Sequence, residues 1–226
     1  MPLPPGMSDA SMIPARVVYL HGFASGTQST KAAYFGARLR AHGIPFACPD
    51  FNEPDFATLT MTRMLEQLGA ELARGAQPAM VIGSSLGGTL AILAADRFPA
   101  QIDRVVLLAP AVMFAKAGHH LLPPERIDEW RRRGVLPFFH YAYGDERPLQ
   151  FAFYEDSVEY DPFGATLAQP ALVFQGLRDA SVDYRTVEQF ARTRPNVTLS
   201  LLDDDHQLTA SLPRIWSDVE AFADLL

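Results

Sequence analysis

Met80-Val81-Ile82-Gly83-Ser84-Ser85-Leu86-Gly87-Gly88-Thr89-Leu90-Ala91 runs from one apolar segment through a glycine-flanked turn into a second apolar segment. It reads as a buried strand, a very tight turn and a helix. At the turn lies G-x-S-x-G, spelled Gly83-Ser84-Ser85-Leu86-Gly87. A serine at the apex of a sharp strand-to-helix turn projects its hydroxyl clear of the backbone. Its neighbours two positions away must be small, because strand and helix pass close together there. The helix that follows aims its first amides at the same spot, where negative charge developing on a substrate oxygen is stabilised. The same letters also fit a plain helix start capped by serine, so the rest of the chain has to decide.

The chain has 226 residues and is 48% hydrophobic, enough to bury one sizeable core, and one domain with an insertion is expected. A net charge of −7 argues against nucleic-acid or anionic-membrane partners, whose phosphates it would repel. The single cysteine, Cys48, excludes a disulfide framework and fits a reducing compartment, so a cytoplasmic location is expected. The opening residues lack the basic and apolar regions of a secretory signal. Residues 1–14, rich in Pro and Ser, are expected to form a flexible arm. The uncharged apolar run 79–95 is short and broken by the Gly/Ser turn, so no membrane span is expected.

In chain order, residues 16–20 read as a β-branched strand ending in His21-Gly22-Phe23. A helix follows over 29–42, closed by Gly43, then a short strand over 45–48. Residues 58–74 carry Leu59, Met61, Leu65, Leu68 and Leu72 at helical spacing, stopped by Gly75. After the strand into Ser85 come a helix over 86–96 and a strand over 105–109. Residues 111–166 break the rhythm, with irregular aromatics and a charged helix around 126–133, and read as an insertion. The alternation resumes with a strand at 171–174, a helix at 183–192, a strand at 197–202 and a terminal helix from 212. Six apolar runs alternating with helices predict right-handed βαβ units, one mainly parallel sheet and helices on both faces.

In such sheets functional residues collect at the carboxyl ends of the strands. Those ends carry a serine, an acid and a histidine in the order Ser85, Asp179, His206, the order expected around a nucleophile elbow. In this reading neutral His206 takes the Ser85 proton during attack and returns it to the leaving group. Asp179 accepts the other ring N–H, fixing the tautomer and stabilising the imidazolium. Backbone amides of Phe23 and Leu86 are the expected oxyanion hole. Asp183 immediately precedes a helix and reads as its N-cap. Asp203 to Asp205 read as a solvated loop, and His21 as a residue that holds the first loop.

The chain resembles the α/β-hydrolases, and within them the small YqiA-type bacterial esterases. The matching residues are Tyr19-Leu20-His21-Gly22-Phe23, Ser25, Lys31-Ala32, Gly83 to Gly88, Asp179, Val182-Asp183-Tyr184 and His206. The likeness covers 16–110 and 168–226. It implies a three-layer fold with a core over 15–110 and 167–226, and hydrolysis of carboxylic esters through an acyl-enzyme without cofactor. The insertion, 111–166, resembles the small helical cap many α/β-hydrolases carry.

Substrate preference is expected to lie in that cap, with Phe114, Trp130 and Phe139 as candidate substrate contacts among aromatics that also suit a small cap core. Arg131-Arg132-Arg133, next to Glu125, Asp128 and Glu129, reads as a solvated helix face rather than an anion clamp. Residues 26–31 lack the glycine before the lysine that a phosphate loop needs, and no His-Glu-x-x-His or comparable ligand set occurs. A small, neutral ester is the expected substrate, and a monomer or homodimer the expected state. The same triad suits a thioesterase, lactonase or acyltransferase, and a hydrolase-like ligand-binding protein is the reading from another class.

Overall fold

In the computed structural model of the protein, the residues described are 13–116 and 122–225. The proposed arm therefore lies almost entirely outside them. The first half runs β1 (Val17–Leu20), α1 (Thr30–Ala41), β2 (Phe46–Ala47), α2 (Met61–Leu72), β3 (Ala79–Ser84), α3 (Leu86–Arg97) and β4 (Ile102–Leu108). The insertion holds α4 (Pro124–Arg133), the strands β5 (Val135–His140) and β6 (Asp145–Gln150), and α5 (Ala152–Val158). Then come β7 (Ala171–Gly176), α6 (Tyr184–Arg192), β8 (Val197–Leu202) and α7 (Leu212–Phe222).

Six strands form one sheet in the order β2-β1-β3-β4-β7-β8, with every neighbouring pair parallel. The expected six-stranded α/β architecture is the one observed. Its central strands are apolar along their length because both faces are covered. Alternate side chains go to opposite sides. Val18, Leu20, Val81 and Val105 pack with α2, α3 and α6 through residues such as Leu68, Leu90 and Phe190. Val17, Tyr19, Met80 and Ile82 pack with α1 and α7 through Phe35, Leu39, Ile215 and Trp216. A one-residue slip of any of these strands would exchange the two faces.

The cap differs in kind from the helical one expected, because an antiparallel hairpin of β5 and β6 lies between its two helices. Gly134 closes α4 in the left-handed region at φ 74°, its amide donating to the Trp130 carbonyl at 2.8 Å. The aromatic and β-branched residues just beyond then favour strand over helix. Trp130, Leu136, Leu149 and Phe153 join the same core as α2 and α3, so the cap is packed onto the sheet layer.

Candidate active site

Ser85 occupies φ 55° and ψ −115°, a backbone state strained for any residue with a side chain. The surroundings enforce it. The Ser85 amide donates to the Leu108 carbonyl at 2.9 Å, tying the turn to β4. A methyl built on Gly83 would overlap the Gly87 carbonyl, and one built on Gly87 would overlap the Leu20 carbonyl. Strand and helix therefore close on each other only because both positions lack a side chain. The Ser85 hydroxyl makes no capping bond to α3, which leaves it free for another partner.

That partner is His206, whose Nε2 lies 3.1 Å from Ser85 Oγ. On the other side His206 Nδ1 lies 2.7 Å from Asp179 Oδ2. The Asp179 side chain is fully buried, and Oδ1 accepts the amides of Ser181 and Val182, both at 2.8 Å. Gln175 Nε2 donates to Oδ2 at 2.9 Å. Burial alone would raise the pKa of this carboxyl. The bonds from His206, the Val182 amide and Gln175 outweigh it, and the net direction is downward. An ionised Asp179 accepts Nδ1–H and assigns the tautomer that turns the Nε2 lone pair toward Ser85. The acid and the histidine come close because Gly176 lets the β7 and β8 ends approach: a methyl there would stand 2.5 Å from the Asp204 carbonyl.

The loop after β1 lies against Ser85, since a methyl built on Gly22 would be 4.0 Å from its Oγ. Among the described residues the Phe23 and Leu86 amides donate to no protein acceptor. His21 holds this loop. It is 4% exposed, its Nδ1 lies 2.9 Å from the Gly22 carbonyl, and Nε2 accepts the Phe51 amide at 3.1 Å. Asp183 caps α6, accepting the Arg185 amide at 3.0 Å.

The acidic run divides. Asp203 is exposed and pairs with Arg178, as a solvated residue should. Asp204 does not fit that expectation: it is buried, and it accepts the amides of Asp205 and Ser211, each at 2.8 Å. Its side chain builds the loop that carries His206.

The candidate substrate contacts also divide. Trp130 has no exposed surface and donates its indole N–H to the Leu149 carbonyl at 2.8 Å, so it belongs to the cap core and lines no accessible pocket. Phe139 is 51% exposed and packs edge-on against Tyr141, on the outward side of an alternating strand. Phe114 is half-buried, three residues past a turn that bonds to Ser85. The bond is from the Ala111 amide, which donates to the Ser85 carbonyl at 3.3 Å. Phe23 and Phe114 both pack against Phe153 of α5, with ring centroids 5.4 and 5.9 Å apart. Phe153 was not legible in the sequence, where nothing separates it from the other cap aromatics.

Asn52 and His140 were also missed. Asn52 donates to the Ser25 carbonyl at 2.8 Å, and its Oδ1 lies 2.9 Å from His140 Nε2. The cap is thus latched to the loop after β1. His140 is fully buried, which lowers its pKa, and the nearby Arg147 charge lowers it further. The folded state therefore takes that proton less readily than the unfolded chain, and stability should fall as pH drops below about 6.5. Asp50, Asp179 and Asp204 are all shifted downward. Their contribution is present above the unfolded value near 4 and is lost below it. The urea midpoint followed against pH should show both declines, and His140→Gln should remove the first.

A cavity of about 290 Å³ opens between residues 52–57 and the hairpin residues Tyr143, Arg147 and Pro148, away from Ser85 and His206. Among the described residues no group of three or more His, Cys, Asp or Glu could hold a metal ion, and no helix is long and apolar enough to cross a membrane.

Comparison with known proteins agrees with this architecture. Lipase LipV of Mycobacterium tuberculosis is 36% identical over 106 residues, spanning 44% of this chain and 38% of that protein's length. Mouse alpha/beta hydrolase domain-containing protein 10 superposes with a TM-score of 0.74 at 20% identity, over 92% of this chain and 89% of that one. Est1E from Butyrivibrio proteoclasticus, with ferulic acid bound, gives 0.77 at 20% identity, over 96% and 90%. At such identities the structural likenesses speak for the fold. Residues 16–223 match the model described as "Uncharacterised protein family (UPF0227)". With its α/β-hydrolase architecture, the chain belongs to the UPF0227 family.

Proposed function

We propose that the protein is a serine hydrolase that cleaves carboxylic esters of small, neutral acyl groups through an acyl-enzyme, with Ser85 as nucleophile, His206 as base and Asp179 as its orienting acid. The observation that carries this reading is the continuous line from Ser85 Oγ to His206 to Asp179, beside two amides that meet no protein acceptor among the described residues. Ser85 Oγ attacks the ester carbonyl as His206 Nε2 takes its proton. The tetrahedral oxyanion is held by the Phe23 and Leu86 amides, and ionised Asp179 stabilises the imidazolium. His206 then protonates the departing alkoxide. Water attacks the acyl-enzyme with His206 again as base, releasing the acid and restoring Ser85. A relative named as a lipase and a fold neighbour holding ferulic acid are consistent with this class.

The acyl chain is assigned to half-buried Phe23 and Phe114, which both pack on the buried ring of Phe153. A neutral substrate follows from the net charge and from Arg131 and Arg133, which are paired with Asp128 and Glu129 on the same helix. Short acyl esters should therefore be preferred. Phe114→Ala should change the slope of log kcat/KM against chain length, since each methylene contact is worth about 0.8 kcal/mol. Rates over a series of p-nitrophenyl esters test this, with thioesters and lactones assayed beside them. Parallel curves for wild type and variant would remove Phe114 from the acyl site, and binding without turnover would favour the ligand-binding reading.

A further inference from the structure

Lys31 lies close to the proposed triad, yet none of the steps above employs it. It is the second residue of α1 and only 8% exposed. Two local rules oppose a lysine there. The first turn of a helix is the positive end of its dipole, and a buried ammonium loses its hydration. The side chain nevertheless reaches across 176 positions in sequence to donate from Nζ to the Gln207 carbonyl at 2.9 Å. Gln207 is the neighbour of His206.

The sheet order explains why such a bond matters. His206 follows β8 at one edge, whereas Ser85 follows β3, so the chain leaving β8 must come back across the ends of β7 and β4. The near side of this loop is held by its own elements, through Asp204 to Ser211 and through the Arg178 amide to the Asp204 carbonyl at 3.0 Å. Lys31 holds the far side, from the helix that follows β1, the neighbour of β3.

We propose that Lys31 is a positioning residue for His206: its ammonium draws the Gln207 carbonyl toward α1 and so keeps the imidazole in register with Ser85 Oγ. This rests on the triad reading above. Burial pushes the Lys31 pKa down to about 8, against the attraction of Asp205, Asp179 and Asp204, the three carboxylates that face it. The group therefore changes charge within the range of an ordinary esterase assay, and perturbed groups of this kind gather at functional sites.

Lys31→Met keeps the length of the side chain and removes the charge. It should lower kcat by about 10- to 100-fold with KM little changed, the effect of a catalytic group slightly out of place. The unfolding midpoint at pH 7 should hold or rise. A folded-state pKa below the ordinary lysine value means that holding the proton costs stability throughout the range below it, and the variant escapes that cost. Wild-type kcat/KM should decline as pH rises through about 8. The decline should be absent in Lys31→Met and, because guanidinium stays charged, in Lys31→Arg. A variant that loses stability together with activity, and keeps the alkaline decline, would show Lys31 to be a packing residue and overturn the proposal. So would Lys31→Met turning over as fast as wild type. A wild type that hydrolyses none of the esters and takes no acylating probe at Ser85 would instead overturn the hydrolase reading, and this proposal with it.

Discussion

Ser85→Ala should lower kcat for the best ester by about 10⁶, to the level left by binding and the oxyanion donors alone. The magnitude follows from the way the three groups act together. His206 has no other proton to take from that position, and the Phe23 and Leu86 amides have no covalent intermediate to hold once Oγ is gone. The fold should survive, since among the described residues the hydroxyl bonds only to His206 and the strained turn is held by Gly83, Gly87 and the Ser85 amide. An alanine there meets the same φ restriction as the serine it replaces. Circular dichroism and the urea midpoint should therefore match wild type while turnover disappears. A variant that keeps more than a hundredth of the wild-type rate would mean that another group attacks the ester.

Asp179→Asn should reduce kcat by about 10⁴ with little effect on KM. The asparagine amide would present an N–H toward His206, favour the Nε2–H tautomer, and leave no lone pair facing Ser85. Asp183→Asn is the matched control. It lies four residues on, in the same segment, but it caps α6, and Asn caps a helix about as well as Asp. Its kcat should stay within about twofold of wild type. If the sensitivities were exchanged, Asp179 would not be the orienting acid.

The parts of this molecule that were legible from sequence are those whose geometry is local. The elbow was legible because Gly83, Ser85 and Gly87 stand at fixed spacing between an apolar strand and an apolar helix, and the chain has little choice of how to turn there. Asp179 and His206 could be picked out because each lies a few residues past the end of an apolar strand, and parallel sheets gather such positions along one edge. The six-stranded sheet followed from the same alternation. What escaped depends on contacts distant in sequence. Asp204 sits in a run of three acids that looks solvated, and only the return of the chain to Ser211 shows it buried. Trp130 and Phe139 read alike as cap aromatics, but a fixed indole bond buries the first and strand alternation turns the second outward. The hairpin was hidden by two prolines, Pro137 and Pro148, which lie opposite each other in it and weaken the strand signal. Lys31 belonged to a matching motif with no role attached, and its role is visible only across 176 positions.

A fluorophosphonate probe followed by peptide mapping reads out whether Ser85 is an activated nucleophile. One phosphonyl adduct per chain is expected, on Ser85 Oγ, formed at neutral pH and lost in Ser85→Ala and His206→Ala. An adduct on Ser84, or an unmodified protein that still hydrolyses esters, would contradict it.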